Sequence, residues 1–157
     1  MPAVDQLADA YLQGAADLRA AVAGLTREQL RARPIPGRMS TLEVVCHIAD
    51  FEAVLAERMK RIIALDANPL LLVADENLFL KQLHYHDREA EEELALIDST
   101  RKQMARVIRK LAPEQFQKTG VHSQKGLLTL EKVIQGAVNH IPHHLAFITE
   151  KRKALGV

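Results

Sequence analysis

Residues 130–155 read LEKVIQGAVNHIPHHLAFITEKRKAL, and this stretch decides the fold that we predict. Apolar residues recur along it at steps of three and four, which is the period of an amphipathic α-helix. Thr129 can cap the start of this helix, and Gly156 follows its end. One face carries, in order, Leu130, Val133, Ala137, His140, His144, Phe147 and Lys151. The sequence therefore predicts a long helix with two histidines, one turn apart, on its inward face.

The same period predicts three further long helices upstream. The first covers about residues 4–25 and precedes a break at residues 33–37, which contain two prolines and a glycine. The second covers about residues 40–65. The third covers about residues 87–111, with Asp87 as its cap.

The sequence predicts some boundaries and connections of these helices more clearly than others. Ser40 and Glu43 have the spacing of a capping box, which favours a helix start at that point. Residues 70–86 show no clear period, and a short helix over residues 75–85 is one option. Residues 120–126 are predicted to form a loop.

Length and composition are typical of one globular domain. The chain has 157 residues, of which 48% are hydrophobic and 26% charged, a balance that excludes intrinsic disorder. Only 7 Gly and 6 Pro are present and they cluster, which argues against an all-β fold. We predict an all-α protein: an up-down four-helix bundle with short extra helices in its connections, forming a single domain over residues 1–157.

Charge and cysteine usage narrow the partners and the compartment. With 21 Lys+Arg against 20 Asp+Glu the net charge is +1, so we expect neither nucleic acid nor a membrane surface as a partner. The five basic residues within 101–110 complement the dipole of the third helix and need no nucleic acid to explain them. The chain offers no stretch of ~18–20 apolar residues and no secretory signal at its start. A single cysteine, Cys46, is consistent with a cytoplasmic protein.

Three histidines occupy positions where a bundle core normally has Leu, Val or Ala. His140 and His144 lie one turn apart on the last helix, and His47 lies on the inward stripe of the second helix. A buried imidazole without partners costs ~1–3 kcal/mol for each unpaired polar group. Neutral imidazoles bind Zn²⁺ or Ni²⁺, and three protein ligands leave a coordination position open, as in catalytic sites. Hydrogen-bonded core histidines are the alternative.

Other polar residues lie near this stripe. Asp50 follows His47 by three residues, so it could orient a ligating histidine or act as a base on bound water. A surface ion pair explains Asp50 equally well. His143 could be a further ligand or a proton shuttle, although an exposed position is the simpler expectation. Cys46 should be an inert buried thiol.

Five blocks occur together along the chain and carry a resemblance. They are RPIPGRMSTLE at 33–43, CHIAD at 46–50, GVH at 120–122, LTL at 128–130 and NHIPHHLAFI at 139–148. In this order they resemble the DinB-like/YfiT-like family of four-helix bundles, and the similarity covers nearly the whole chain. Met39 is one departure, because members of that family usually have Trp there.

The resemblance implies a site, a cofactor and a choice of reactions. His47, His140 and His144 match the family's three metal ligands, with a divalent ion such as Zn²⁺ or Ni²⁺ as cofactor. Relatives include transferases that use low-molecular-weight thiols such as bacillithiol or mycothiol, so the first hypothesis is thiol S-transfer to an electrophilic small molecule. The alternatives are metal-dependent hydrolysis of a small ester or amide, and a non-catalytic metal-binding stress or interaction module. A homodimer is one oligomeric state left open.

Overall fold

Four long helices and two short ones account for most of the computed structural model, which describes residues 4–157. The helices are α1 (Val4–Val22), α2 (Arg27–Arg31), α3 (Thr41–Ala64), α4 (Glu76–Gln82), α5 (Ala90–Ile108) and α6 (Leu130–Leu155). The four long ones pack into a bundle, so the predicted all-α architecture is confirmed. Among the described residues, no helix is long and apolar enough to cross a membrane.

The long helices are not neighbours in simple chain order. Both α1 and α3 pack against α5 and α6, so α1 lies diagonally across the bundle from α3. The connection over residues 109–129 carries the chain between α5 and α6, which are also diagonal to one another. This arrangement brings α3 against α6, and these two helices carry the three histidines of the predicted site.

Capping side chains fix the starts of α2, α3 and α6. The Ser40 hydroxyl accepts a hydrogen bond from Glu43 N at 3.1 Å, and the Glu43 carboxylate accepts one from Ser40 N at 2.7 Å. This is the predicted capping box. Thr129 accepts from Lys132 N at the start of α6, as predicted. A second capping box, between Thr26 and Gln29, starts the short helix α2, which the sequence analysis missed.

The predicted start of α5 at Asp87 is wrong. Helix α5 begins at Ala90, and Asp87 instead ends a short 3₁₀ turn over Tyr85–Asp87. His84, just before this turn, has a φ of 51°, which lies in the left-handed region. Asp87 belongs to this turn and Glu89 is the N-cap of α5, so Asp87 lies two residues too early to cap the helix.

The predicted loop over residues 120–126 is a β-hairpin instead. Strand β1 (Leu70–Leu71) pairs in parallel with β2 (Thr119–His122), which pairs antiparallel with β3 (Gly126–Thr129). Gly120 permits this packing, because a Cβ at that position would lie 2.9 Å from Leu71 Cδ1. The strands are only two to four residues long, too short for their alternation to stand out in the sequence.

Two apolar clusters fill the bundle, and a polar layer lies between them along the helices. Arg101 of α5 is fully buried and ion-paired with buried Glu52 of α3, at 2.8 Å between Nη2 and Oε2. Arg101 also donates to Tyr11 O of α1 and to Ala137 O of α6. One guanidinium therefore contacts all four long helices, which satisfies the requirement that a buried charge be paired and hydrogen-bonded.

Candidate metal centre

The three predicted histidines lie together where α3 packs against α6. His47 is two turns inside α3 and only 2% exposed. His140 and His144 come from consecutive turns of α6, which runs without interruption through Pro142. The capped start of α3 and the packing of α3 on α6 thus set the position of His47 relative to the pair.

Their Nε2 atoms form a nearly equilateral triangle. The distances are 3.1 Å between His47 and His144, 3.2 Å between His47 and His140, and 3.2 Å between His140 and His144. Within the described residues these side chains form the cluster with the spacing of metal ligands.

Neutral imidazoles alone cannot satisfy this triangle. Each Nε2 of a neutral ring carries either a hydrogen or a lone pair, so at least two of the three atoms are of the same kind. At least one pair of nitrogens therefore faces its partner hydrogen to hydrogen, or lone pair to lone pair, at a distance of 3.1–3.2 Å. The hydrogen-bonded alternative leaves one contact repulsive in every combination of neutral tautomers.

A single cation fits the same geometry. Two nitrogens that each bind one ion at ~2.0–2.1 Å lie roughly 2.8–3.4 Å apart for bond angles of roughly 90–110°. All three observed edges fall in that range. Three lone pairs directed at one ion also remove the conflict between like nitrogens.

Burial keeps the imidazoles in the form that binds metals. Together with repulsion between the histidines, it lowers the pKa of His140 to about 3 and that of His144 to about 4. Burial also lowers the pKa of His47, against the opposing effect of the Glu76 carboxylate. Metal ligation requires the neutral ring, so the site is already in its ligating form at neutral pH.

One carboxylate near the triangle was missed by the sequence analysis. Glu76 Oε2 lies 4.0 Å from His47 Nε2, and no other carboxylate of the described residues comes that close to the three nitrogens. Glu76 is the first residue of α4, whose start is fixed by Asp75, an acceptor for Asn77 N and Leu78 N. The Asp-Glu pair signals a helix start, but no pattern in the sequence places this helix beside α3.

Asp50, the other predicted site residue, is engaged elsewhere. Its Oδ1 accepts a hydrogen bond from Arg88 Nη1 at 2.8 Å, which is the predicted ion-pair alternative. The Nδ1 atoms of His47 and His140 are buried and have no hydrogen-bond partner among the described residues. Asp50 therefore does not orient either ring in this structure, and its catalytic role stays a prediction.

Aromatic rings border the histidine triangle. The Phe51 ring is 4.5 Å from the His47 ring and 5.9 Å from the His140 ring. Phe79 of α4 lies 5.8 Å from Phe51, and Phe147 lies 5.8 Å from His144. This apolar wall reduces the local dielectric, which strengthens electrostatic interactions inside the site.

A cavity of about 290 Å³ opens directly beside His144. Met39, Val44 and Phe147 supply its apolar surface, and Arg38, Glu76 and Lys151 supply charged groups. Such a mixture of apolar lining and a few polar groups is typical of small-molecule sites.

The remaining histidines and the cysteine lie outside the triangle. His143 is exposed, with its ring 5.1 Å from that of His144. Cys46 is buried, and burial raises its pKa to about 12, in agreement with the predicted inert thiol. His122 is 5% exposed because it lies on the buried side of strand β2, where its Nδ1 accepts hydrogen bonds from two backbone N–H groups of the hairpin turn.

Comparison with known proteins gives consistent matches. A family model described as the DinB superfamily matches residues 10–148. "Putative metal-dependent hydrolase OB0782" of Oceanobacillus iheyensis is 30% identical over 138 residues, covering 87% of this chain and 79% of that protein. "Putative metal-dependent hydrolase YfiT" of Bacillus subtilis is 28% identical over 142 residues, covering 90% and 79%.

The solved structure of Bacillus subtilis YfiT superposes on this chain with a TM-score of 0.89 at 26% identity. The match covers 98% of this chain and 87% of that one. That structure is described as "a probable metal-dependent hydrolase with an unusual four-helix bundle topology".

Proposed function

The chain belongs to the DinB superfamily, and from that membership and its three-histidine cluster we propose that it is a metal-dependent hydrolase of a small ester or amide. His47, His140 and His144 would hold one divalent ion, Zn²⁺ or Ni²⁺. The observation that carries this proposal is the Nε2 triangle, with edges of 3.1–3.2 Å that suit one ion and conflict with every set of neutral tautomers.

The ion and the protein would divide the chemistry between them. A divalent ion in such a site lowers the pKa of a water to ~7, favours a thiolate over a thiol, and polarises a carbonyl oxygen. Glu76, at 4.0 Å from His47 Nε2, is placed to accept the proton of the attacking water and to pass it to the leaving group. Phe51 and Phe147 place apolar rings against His47 and His144.

A second candidate is thiol S-transfer from a low-molecular-weight thiol to an electrophilic carbon. The observation that favours it is a second cavity, of about 670 Å³, which shares helix α4 with the cavity beside His144. Phe79 lines this cavity, whereas Glu76 of the same helix lines the cavity beside His144. Transfer between two organic reactants needs a binding site for each of them, whereas hydrolysis needs a site for one organic substrate. Cys46 cannot supply the nucleophile, because burial raises its pKa to about 12.

Parallel assays separate these functions. The protein, reconstituted with Zn²⁺ or Ni²⁺, is offered chromogenic esters and amides in one series and thiols with 1-chloro-2,4-dinitrobenzene in the other. Hydrolysis that disappears in the His140→Ala variant supports the proposal. Thiol-dependent release of chloride with no hydrolysis supports transfer instead, and metal binding with turnover in neither series indicates a non-catalytic module.

A further inference from the structure

Lys151 is a buried cation without a carboxylate partner. It is 3% exposed, and no Asp or Glu oxygen of the described residues lies within 4.0 Å of its ammonium. Its single hydrogen bond goes to Phe147 O at 3.1 Å, so two of its three protons remain free to donate. Lysine is almost never buried without a partner, because desolvation of an unpaired charge is costly.

Arg38 adds a second positive charge to the same cavity. Both cations flank Phe147: the Arg38 Cζ is 5.8 Å and the Lys151 Nζ 5.9 Å from the ring centroid. The Arg38 side chain has no ion pair in the described part of the chain. Burial lowers the pKa of Lys151 and repulsion by Arg38 adds to the lowering, while the carboxylates of Glu150 and Glu43 oppose it from more than 4.0 Å away. Two like charges facing one cavity are relieved by an anion.

Building on the proposed function, we propose that this cavity binds the oxyanion of the substrate, a carboxylate or a phosphate, through Lys151 and Arg38. Glu76 does not neutralise the pair, since its carboxylate lies at the histidine end of the cavity. Lys151 follows His144 by seven residues, or two turns, so the anion would lie roughly 10 Å along α6 from the reacting centre. The substrate is therefore an acyl compound with an anionic group several bonds from the reacting carbonyl, and Met39, Val44 and Phe147 line its apolar spacer.

Calorimetry on the metal-free protein tests the anion site without relying on turnover. Glutarate and inorganic phosphate are the two probes, and the one that binds more tightly identifies the oxyanion. We expect Lys151→Met and Arg38→Met to weaken the binding at least ~10-fold, because each removes a charge-assisted hydrogen bond. Arg38 is exposed, so its variant does not disturb the core. Lys153→Met removes the same charge from an exposed position two residues away and should bind like wild type.

The proposal is overturned if wild type binds neither probe, or if both pocket variants bind as wild type does.

A kinetic series then connects the site to the reaction, with 4-nitrophenyl monoesters of succinate, glutarate and adipate against their uncharged methyl esters. We expect a preference of at least ~10-fold in kcat/KM for one anionic chain length, lost in Lys151→Met. Hydrolysis without this preference contradicts the anion site and leaves the hydrolase intact. Glutarate binding without hydrolysis of any ester supports the site and contradicts the proposed reaction.

Discussion

At the level of single residues, the proposed reaction needs a carboxylate close to the three histidines. Glu76 is 4.0 Å from His47 Nε2 and carries no other ion pair in the described residues, whereas Asp50 is held by Arg88. A base must be within hydrogen-bond reach of the proton it removes, directly or through one water. The geometry therefore favours Glu76 over the residue that the sequence suggested.

We predict that Glu76→Gln lowers kcat for ester hydrolysis by ~10²–10⁴-fold, the usual contribution of general-base catalysis. Bound metal, measured by elemental analysis, should not change, because Glu76 is not one of the three ligands. Glu114→Gln removes a similar charge from an exposed position outside the site and serves as the control. A rate loss in Asp50→Asn with no loss in Glu76→Gln would assign the base to Asp50.

At the scale of the elements, α6 and α3 were the most predictable parts. Their long apolar stripes and their caps at Thr129 and Ser40 are local signals, and the structure has both caps. The convergence of His47 with the α6 pair needs only one further fact, that α3 packs on α6. The helical spacing of the apolar residues and histidines therefore predicts which face of each helix is buried.

The connections were less predictable because long-range contacts determine them. Strand β1 has two residues and pairs with β2 across about fifty positions of sequence. Glu76 approaches His47 because α4 folds back onto α3, and no local pattern encodes that return. Lys151 lies on the inward stripe that the sequence predicts for α6. Whether a carboxylate lies near it depends on its neighbours in the fold, which the sequence pattern does not give.

The buried ion pair between Arg101 and Glu52 lies where the four long helices meet, and we expect its removal to destabilise the bundle. Arg101→Met would leave the Glu52 carboxylate buried without its cation, and burial already raises the pKa of Glu52 from its ordinary value. We predict a loss of ~3–5 kcal/mol in the free energy of unfolding. For a domain of this size that corresponds to roughly 6–20 °C in melting temperature, measurable by calorimetry.

Arg106→Met provides the matched control, because Arg106 lies on the exposed face of the same helix. It should change the melting temperature by no more than a typical surface substitution does. Equal melting temperatures for the two variants would mean that the buried contact contributes nothing to the stability of the bundle.

At the scale of the whole molecule, the site links stability to pH. Burial holds the pKa of His140 at about 3 and that of His144 at about 4 in the folded metal-free chain, against ~6.5 in the unfolded chain. Between these values the unfolded state binds more protons. The free energy of unfolding is therefore fully retained above pH ~6.5 and falls as the pH drops towards the folded values.

We predict that the melting temperature of the metal-free protein falls more steeply between pH 6.5 and 4.5 in wild type than in His140→Gln. The variant lacks one group that must stay neutral in the folded state, so it loses less stability over this interval. His84→Gln removes an exposed imidazole outside the site and should follow wild type. Parallel curves for wild type and His140→Gln would contradict the burial argument.

The proposed function requires that His47, His140 and His144 together hold one divalent ion. The most direct measurement is the metal content per chain, by elemental analysis, after reconstitution with Zn²⁺ or Ni²⁺ and dialysis. We predict about one ion per wild-type chain and less than ~0.2 per chain in His47→Ala/His140→Ala/His144→Ala, because a three-histidine site in a folded bundle retains its ion. A wild-type content below ~0.2, or equal contents in both proteins, would contradict it.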